Sequence, residues 1–266
     1  AMRKLLHWSK KTAQTDDYQM MEVKMSVFVI PMVGLSSRFF KAGYDKPKYQ
    51  LDIHGVSMFE WSVRSFSHYF SDDLFLFIVR DVYQTPAYIE AEVAKMGIRH
   101  YQVVVLDEMT AGQAETVYQG LKAVNIDYDE PIFIFNIDSA LHQFRKPEWL
   151  GQCDGYLEVF EGEGNHWSFA QVNEQNNVIK TAEKQRISSF CSNGLYYFRS
   201  VALFQEAYED ANRNNKLSNG ELYVAPLYNY LIEKNLVIKI ELVDIADISF
   251  CGTPDEYESF LENKNV

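Results

Sequence analysis

Between residues 26 and 136 four short apolar runs alternate with three amphipathic stretches, a pattern that few folds accommodate. The runs are "SVFVIP" (26–31), "LFLFIV" (74–79), "YQVVVL" (101–106) and "PIFIFN" (131–136). Each reads as a strand, and 74–79 as a buried one, as in a parallel sheet. The stretches between them read as helices. In 57–70, Ser57 and Glu60 make a capping box, and Phe59, Val63 and Phe66 share a face. In 85–97, Thr85 is the cap, Pro86 takes the first helical position and Gly97 is the stop. A third helix is expected over 111–124. This order predicts an α/β fold with a mixed, mainly parallel sheet and helices on both faces.

The second half is less regular. Strands are expected at 155–160, 168–172, 178–182, 192–198, 236–243 and 246–250, and helices at 201–213 and 221–233. Thr253 caps a last helix with Pro254 at its first position. "EGEGNHW" (161–167) and "NRNNKLSNGE" (212–221) read as mobile loops. No repeat or linker divides the chain. It reads as one domain over 25–266, preceded by an extension over 1–24 in which Leu5, Leu6 and Trp8 are apolar.

The net charge of −12 disfavours a nucleic-acid partner, which calls for a basic face. Cys153, Cys191 and Cys251 are odd in number and far apart, and are expected as buried free thiols in a reduced, cytoplasmic protein. No apolar run approaches the ~20 residues needed to span a bilayer, so no membrane partner is expected.

Ligands of open parallel sheets bind outside the carboxyl ends of the strands, where the strand order reverses. Three polar clusters fall there: 32–48 after the first strand, 107–116 after the third and 137–139 after the fourth. After the first strand, Gly34 leaves backbone N–H groups open to an anion, and Arg38 and Lys48 add a planar fork and a point charge. The plain alternative is a turn with surface cations. The spacing is neither a Rossmann glycine fingerprint nor a Walker loop. Asp138 ends the fourth strand, where a lone carboxylate suits Mg²⁺ or, more commonly, caps a turn. Glu183 and Lys184 end a later strand as a surface ion pair or as contacts to a substrate hydroxyl and phosphate. Glu221 is a helix-start charge or a ligand contact.

In order along the chain stand "GLSSRF", "AGYDKPK", "LDIHG", "TAGQAETV", "NID", "AEKQRIS", "SNGLYYF", "NGELYVAPLYN" and "GTPDEY". This set resembles the sugar nucleotidyltransferases, or nucleoside-diphosphate-sugar pyrophosphorylases, over about residues 25–261, and is most similar to their capsule and surface-polysaccharide branch. The resemblance implies a Rossmann-like, GT-A-like domain. It implies Mg²⁺-dependent transfer from an NTP to a phosphorylated small molecule, with a sugar 1-phosphate as acceptor, and admits a homo-oligomer. By motif, Gly34, Leu35, Ser36 and Ser37 would cradle the nucleotide, and Thr110, Ala111 and Gly112 would face its base. Arg38 would stabilise leaving pyrophosphate, Lys48 would neutralise the α-phosphate, and Asp138 would hold Mg²⁺. Glu183, Lys184, Asn193, Gly194 and Glu221 would hold the acceptor.

Two departures stand out. Relatives carry a second metal carboxylate before "GTP", where this chain has Phe250, and Asp247 is the substitute within reach of sequence. Asp107 and Glu108 precede Thr110, which favours cytosine or guanine over uracil or thymine. Two alternatives therefore stand beside the sugar reading: a cytidylyltransferase for a phosphorylated non-sugar, and a nucleotide-binding homologue without catalysis.

Overall fold

The four apolar runs form the parallel heart of a larger sheet. The computed structural model describes residues 25–218 and 220–262, so the expected extension over 1–24 lies outside the described residues. In chain order the first half gives β1 (Val27–Pro31), α1 (Ser37–Lys41), β2 (Asp52–Ile53), β3 (Val56–Ser57), α2 (Met58–Val63), β4 (Leu74–Val79), α3 (Thr85–Met96), β5 (His100–Val105), α4 (Gln113–Lys122) and β6 (Ile132–Phe135). The second gives β7 (Ser139–Leu141), β8 (Gly155–Glu161), β9 (Ser168–Val172), β10 (Val178–Glu183), β11 (Phe190–Phe198), α5 (Val201–Arg213), α6 (Tyr228–Glu233), β12 (Ile238–Leu242), β13 (Ile248–Phe250) and α7 (Pro254–Glu262).

Strands β5, β4, β1 and β6 are parallel neighbours in that order, with Val27 of β1 facing Leu74 on one side and Ile132 on the other. The chain steps outward from β1 to β5, then returns to place β6 on the opposite flank. The gap between β1 and β6 is thus the switch point. Antiparallel β11 continues the sheet beside β6, followed by β8 and then β12. The β9–β10 hairpin joins β11 through Cys191 and Phe169. The architecture is the mixed, mainly parallel α/β sheet expected.

Alternation along β1 divides the core. Val27 and Val29 pack with residues of α4 and α5 on one face, and Phe28 and Ile30 with residues of α2 and α3 on the other. The Phe28 ring lies 4.7 Å from Phe66 and 5.0 Å from both Phe75 and Phe133. Each such fully buried ring stabilises the fold by roughly 1.5–3 kcal/mol. Cys153, Cys191 and Cys251 are free and buried.

Local signals held unevenly. Ser57 caps α2 by accepting from the Glu60 amide, but the Glu60 carboxylate turns to Arg64 and Lys95 instead of closing the box. The helix expected to reach residue 70 stops at Val63 and continues as a 3-10 segment in which Phe66 leaves helical geometry. Its ring packs edge-on against Phe135 and Phe144, so tertiary packing overrides the periodicity. Gln84, not Thr85, caps α3, while Gly97 ends it at φ 75°. Thr253 and Glu256 close a reciprocal box at the start of α7. The loop over 161–167 is stapled: Arg186 forks onto the Gly162 and Gly164 carbonyls, and the Trp167 indole donates to the Glu163 carbonyl.

Candidate active site

At the switch point the chain leaves β1 through buried Met32 and Val33 and surfaces at Gly34 and Leu35. A Cβ at Gly34 would meet nothing within 4 Å, so the backbone there borders open space. Ser36 adopts φ 52° at the start of the short α1, its carbonyl accepting from the Phe39 and Phe40 amides, and α1 carries Ser37 and Arg38. The Ser36 hydroxyl also accepts from the Lys48 amide at 3.1 Å, tying the two ends of the loop together. Extended Pro47 then delivers Lys48 into a 3-10 turn.

The Lys48 ammonium donates to Asp138 Oδ2 at 2.9 Å, with the two side chains 19% and 35% exposed. Ninety residues of sequence separate the partners, and the β1–β6 adjacency brings them together. Burial pushes the Asp138 carboxyl up. The Lys48 charge and hydrogen bond, the residue's own amide and the Arg38 charge outweigh burial and hold it below the ordinary aspartate range. Asp138 is therefore an anion at neutral pH, facing two cations.

The expected base loop is built against the segment around Leu222. Gly112 takes φ 140°, and a Cβ there would stand 2.6 Å from the Leu222 carbonyl oxygen. Ala114 N donates to Leu222 O and Leu222 N to Ala111 O, each at 3.0 Å. The Thr110 hydroxyl pairs with Thr116 at 2.6 Å. This strap explains why the helix expected from residue 221 begins only at Tyr228, after a 3-10 turn. Gln113 donates to the Asn136 side chain at the end of β6. Asn136 in turn packs on Gly194, which has φ 95° and no room for a side chain.

A third group gathers at the end of β10. Lys184, at φ 53°, donates its amide to the Trp167 carbonyl at 2.9 Å and its ammonium to the Tyr223 hydroxyl at 2.6 Å. The ammonium also stands 4.5 Å over the Tyr223 ring, a cation–π contact. Burial pushes the Tyr223 hydroxyl up, with Lys184 opposing and Glu221 adding to the rise. Glu183 is 5% exposed and accepts from the Ser168 hydroxyl. Burial pushes its carboxyl up, with Ser168 and Lys184 opposing. Burial pushes the hydroxyl of Tyr196 in β11 up to about 12, and the Glu183 and Asp138 charges add to the rise.

Two expected residues stand elsewhere. Asn193 turns inward: its side chain donates to Glu158 at 2.7 Å and accepts from the Leu195 amide, leaving it no face toward an acceptor. Asp247 does not join Asp138. Strand β13 pairs Ile248 with Leu141 and Phe250 with Ser139, so Asp247 lies four residues along the ribbon, roughly 13 Å away. Cys251 stands across from Asp138 and donates its amide to the Asp138 carbonyl at 2.7 Å, while Phe250 pairs with Ser139 and packs 5.0 Å from Trp167 and 5.5 Å from Phe160. A residue that sequence reading missed is Glu256. The absent side chain of Gly252 leaves a space 3.3 Å from Asp138 Oδ2 and 3.5 Å from Glu256 Oε2. Asn136, Gln113 and Tyr223 were missed too, because their roles rest on partners remote in sequence.

Of the donors expected for Mg²⁺, Asp138 alone stands at the switch point. Among the described residues no three His, Cys, Asp or Glu side chains gather into a cage. One ionised, part-exposed carboxylate fits an ion that keeps waters and rides in on phosphate oxygens. Concavities of about 530 and 460 Å³ lie beside α5, the larger including Glu183 and neither reaching Asp138. Among the described residues no helix is long and apolar enough to cross a membrane.

No family model matches the chain, and no curated protein matches it. Solved structures do. The nucleoside-diphosphate-sugar pyrophosphorylase from Vibrio cholerae RC9 is 46% identical, with 89% of this chain and 100% of that one covered and a TM-score of 0.86. The inositol-1-phosphate CTP transferase from T. maritima (16% identity, 91% and 98% covered, TM-score 0.66) shares the fold. So does a UDP-glucose pyrophosphorylase complexed with UDP-glucose (13%, 90% and 97%, 0.67). With the expected motifs meeting at the switch point and near-half identity over a whole relative, the chain belongs to the nucleoside-diphosphate-sugar pyrophosphorylase family of nucleotidyltransferases.

Proposed function

We propose that the protein joins an NTP to a sugar 1-phosphate, releasing pyrophosphate and a nucleotide-diphospho sugar. The observation that carries this reading is the 2.9 Å Lys48–Asp138 contact at the β1–β6 switch, beside the open backbone of Gly34. An acceptor phosphate oxygen attacks the α-phosphorus, the bond to the β-phosphate oxygen breaks, and pyrophosphate leaves with its electron pair. The nucleophile is already anionic, so positioning and charge compensation suffice and no strong base is needed. Lys48 balances the α-phosphate, and Arg38, exposed at the loop, the leaving pyrophosphate. Thr110, Ala111 and Gly112 border the base. Lys184 receives the acceptor phosphate and Glu183 a hydroxyl, with Glu221 acting through Tyr223. A divalent ion at Asp138 supplies further compensation for the triphosphate charge when bound.

The test is a screen of each NTP with Mg²⁺ and a panel of sugar 1-phosphates, reading pyrophosphate. Turnover is expected with at least one pair, and silence across the panel would refute the reading. A second reading, a phosphorylated non-sugar acceptor taken with CTP, draws on the aromatic wall of Trp167, Phe250 and Phe160, so phospho-alcohols form a second arm. On motif resemblance we assign the product to surface-polysaccharide assembly. A deletion strain with unaltered surface glycan would remove that assignment.

A further inference from the structure

Strand β11 is irregular at one place only along its pairing with β8. Ser192 faces Val159 and Tyr196 faces Leu157, so residues 193–195 stand against Glu158 alone. A bulge of this kind leaves backbone donors without ladder partners. Side chains take them instead: the Ser192 hydroxyl accepts from the Gly194 amide, and Asn193 Oδ1 from the Leu195 amide, each at 3.1 Å. The other end of the Asn193 carboxamide donates to Glu158 Oε1 at 2.7 Å. Glu158 is 4% exposed, and among the described residues no cation is paired with it. From β12, Glu241 is its register partner, and from the turn before β13 Asp247 adds a second like charge. A carboxylate buried among carboxylates is costly and contributes nothing to the core that an apolar residue would not.

The bulge delivers parts of the site. Gly194 at φ 95° supports Asn136, which Gln113 ties to the start of α4. The Asn193 carbonyl accepts from the Ser139 hydroxyl at 3.4 Å, and Ser139 directly follows Asp138. We infer that Glu158 is a positioning residue for nucleotidyl transfer: it orients the Asn193 carboxamide, which closes the β11 bulge and so sets Gly194, Asn136 and Ser139 around Asp138. This rests on the reading of Asp138 as a reacting-site group.

Glu158 acts as an acceptor, so Gln, which keeps a carbonyl oxygen, replaces it and Leu does not. Leu leaves the Asn193 N–H₂ buried and unpaired, a loss equivalent to roughly ten- to a hundredfold in rate if the bulge relaxes. Burial, with Glu241 and Asp247 adding and Asn193 opposing, pushes the Glu158 carboxyl up to about 7. The wild-type bulge therefore reports its protonation.

Four forms decide the matter. Glu158→Gln is expected to keep kcat within about threefold. Glu158→Leu and Asn193→Ala are each expected to lower kcat about tenfold or more with KM for the NTP nearly unchanged, and the double variant to be no worse than either. Wild-type kcat in Asn193→Ala, or additive losses in the double variant, overturns the inference, and Asn193→Ala alone decides if Glu158→Leu does not fold. Asparagine-selective ¹⁵N labelling gives a readout independent of turnover. The Asn193 carboxamide signal should titrate near pH 7 in wild type and stay flat in Glu158→Gln. An inert wild type with a titrating Asn193 would sink the proposed reaction and keep the Glu158–Asn193 coupling; an active wild type with a flat Asn193 signal would do the reverse.

Discussion

Gly112→Ala tests whether the base loop is held by the strap to Leu222. The residue sits at φ 140°, a conformation that side chains with a Cβ rarely adopt, at a cost of about 1–3 kcal/mol. The new methyl would meet the Leu222 carbonyl oxygen at 2.6 Å and its nitrogen at 2.8 Å, both backbone. Reaching ordinary contact at 3.4 Å requires the 222 segment to retreat by roughly 0.8 Å. That displacement disrupts the two 3.0 Å bonds joining Ala114 and Ala111 to Leu222, each worth about 1 kcal/mol. The sum is a destabilisation of about 3–5 kcal/mol, read as a lower urea midpoint at unchanged slope. KM for the NTP should rise about tenfold, with the acceptor KM little changed. Stability within about 1 kcal/mol of wild type together with an unchanged NTP KM would refute the strap as the element that places the loop.

Lys48→Ala and Asp138→Ala should each cut kcat about a hundredfold or more, while urea midpoints move little, because a part-exposed pair contributes only about 1 kcal/mol. The Asp138 carboxyl is depressed in the fold, so its contribution is complete above the ordinary aspartate range and fades as pH falls below it; in Lys48→Ala the acid limb of activity should begin at higher pH. Tyr223→Phe removes the acceptor of the Lys184 ammonium and should raise the acceptor KM about five- to tenfold without altering the NTP KM. Glu158 is raised in the fold, so the native state binds its proton more tightly between its ordinary range and about pH 7, and stability falls as pH climbs through that window. Glu158→Gln should therefore exceed wild type by about 3 kcal/mol at pH 8 in urea titrations, with the gap closing toward pH 4.5.

The parallel half of the fold was legible because β1, β4 and β6 are apolar throughout and its helices carry end signals, Gly97 among them. Lys48 and Asp138 were legible as chemistry, since a cation and a carboxylate after two strands have few core uses. Asn193 was misplaced because "SNGLYYF" marks a bulge as readily as a ligand contact, and only the register against β8 separates them. Asp247 was drawn in by residue type. The antiparallel pairing of β13 with β7, invisible along the chain, sets Cys251 across from Asp138 instead. The 161–167 segment looked loose from its glycines and polar residues. Its order comes from Arg186, twenty-odd residues downstream, which local composition does not reveal.

That staple joins two things that differ in kind. Trp167, which packs on Phe250, and Lys184, whose amide it holds, belong to one hairpin and are tied to each other across it. Lys48 and Asp138 belong to the opposite flank, built on β1 and β6. On the function proposed above, mutational drift in the hairpin can retune which acceptor is admitted while Lys48 and Asp138 keep their spacing. On this scaffold, choice of partner and competence for transfer are separately heritable traits.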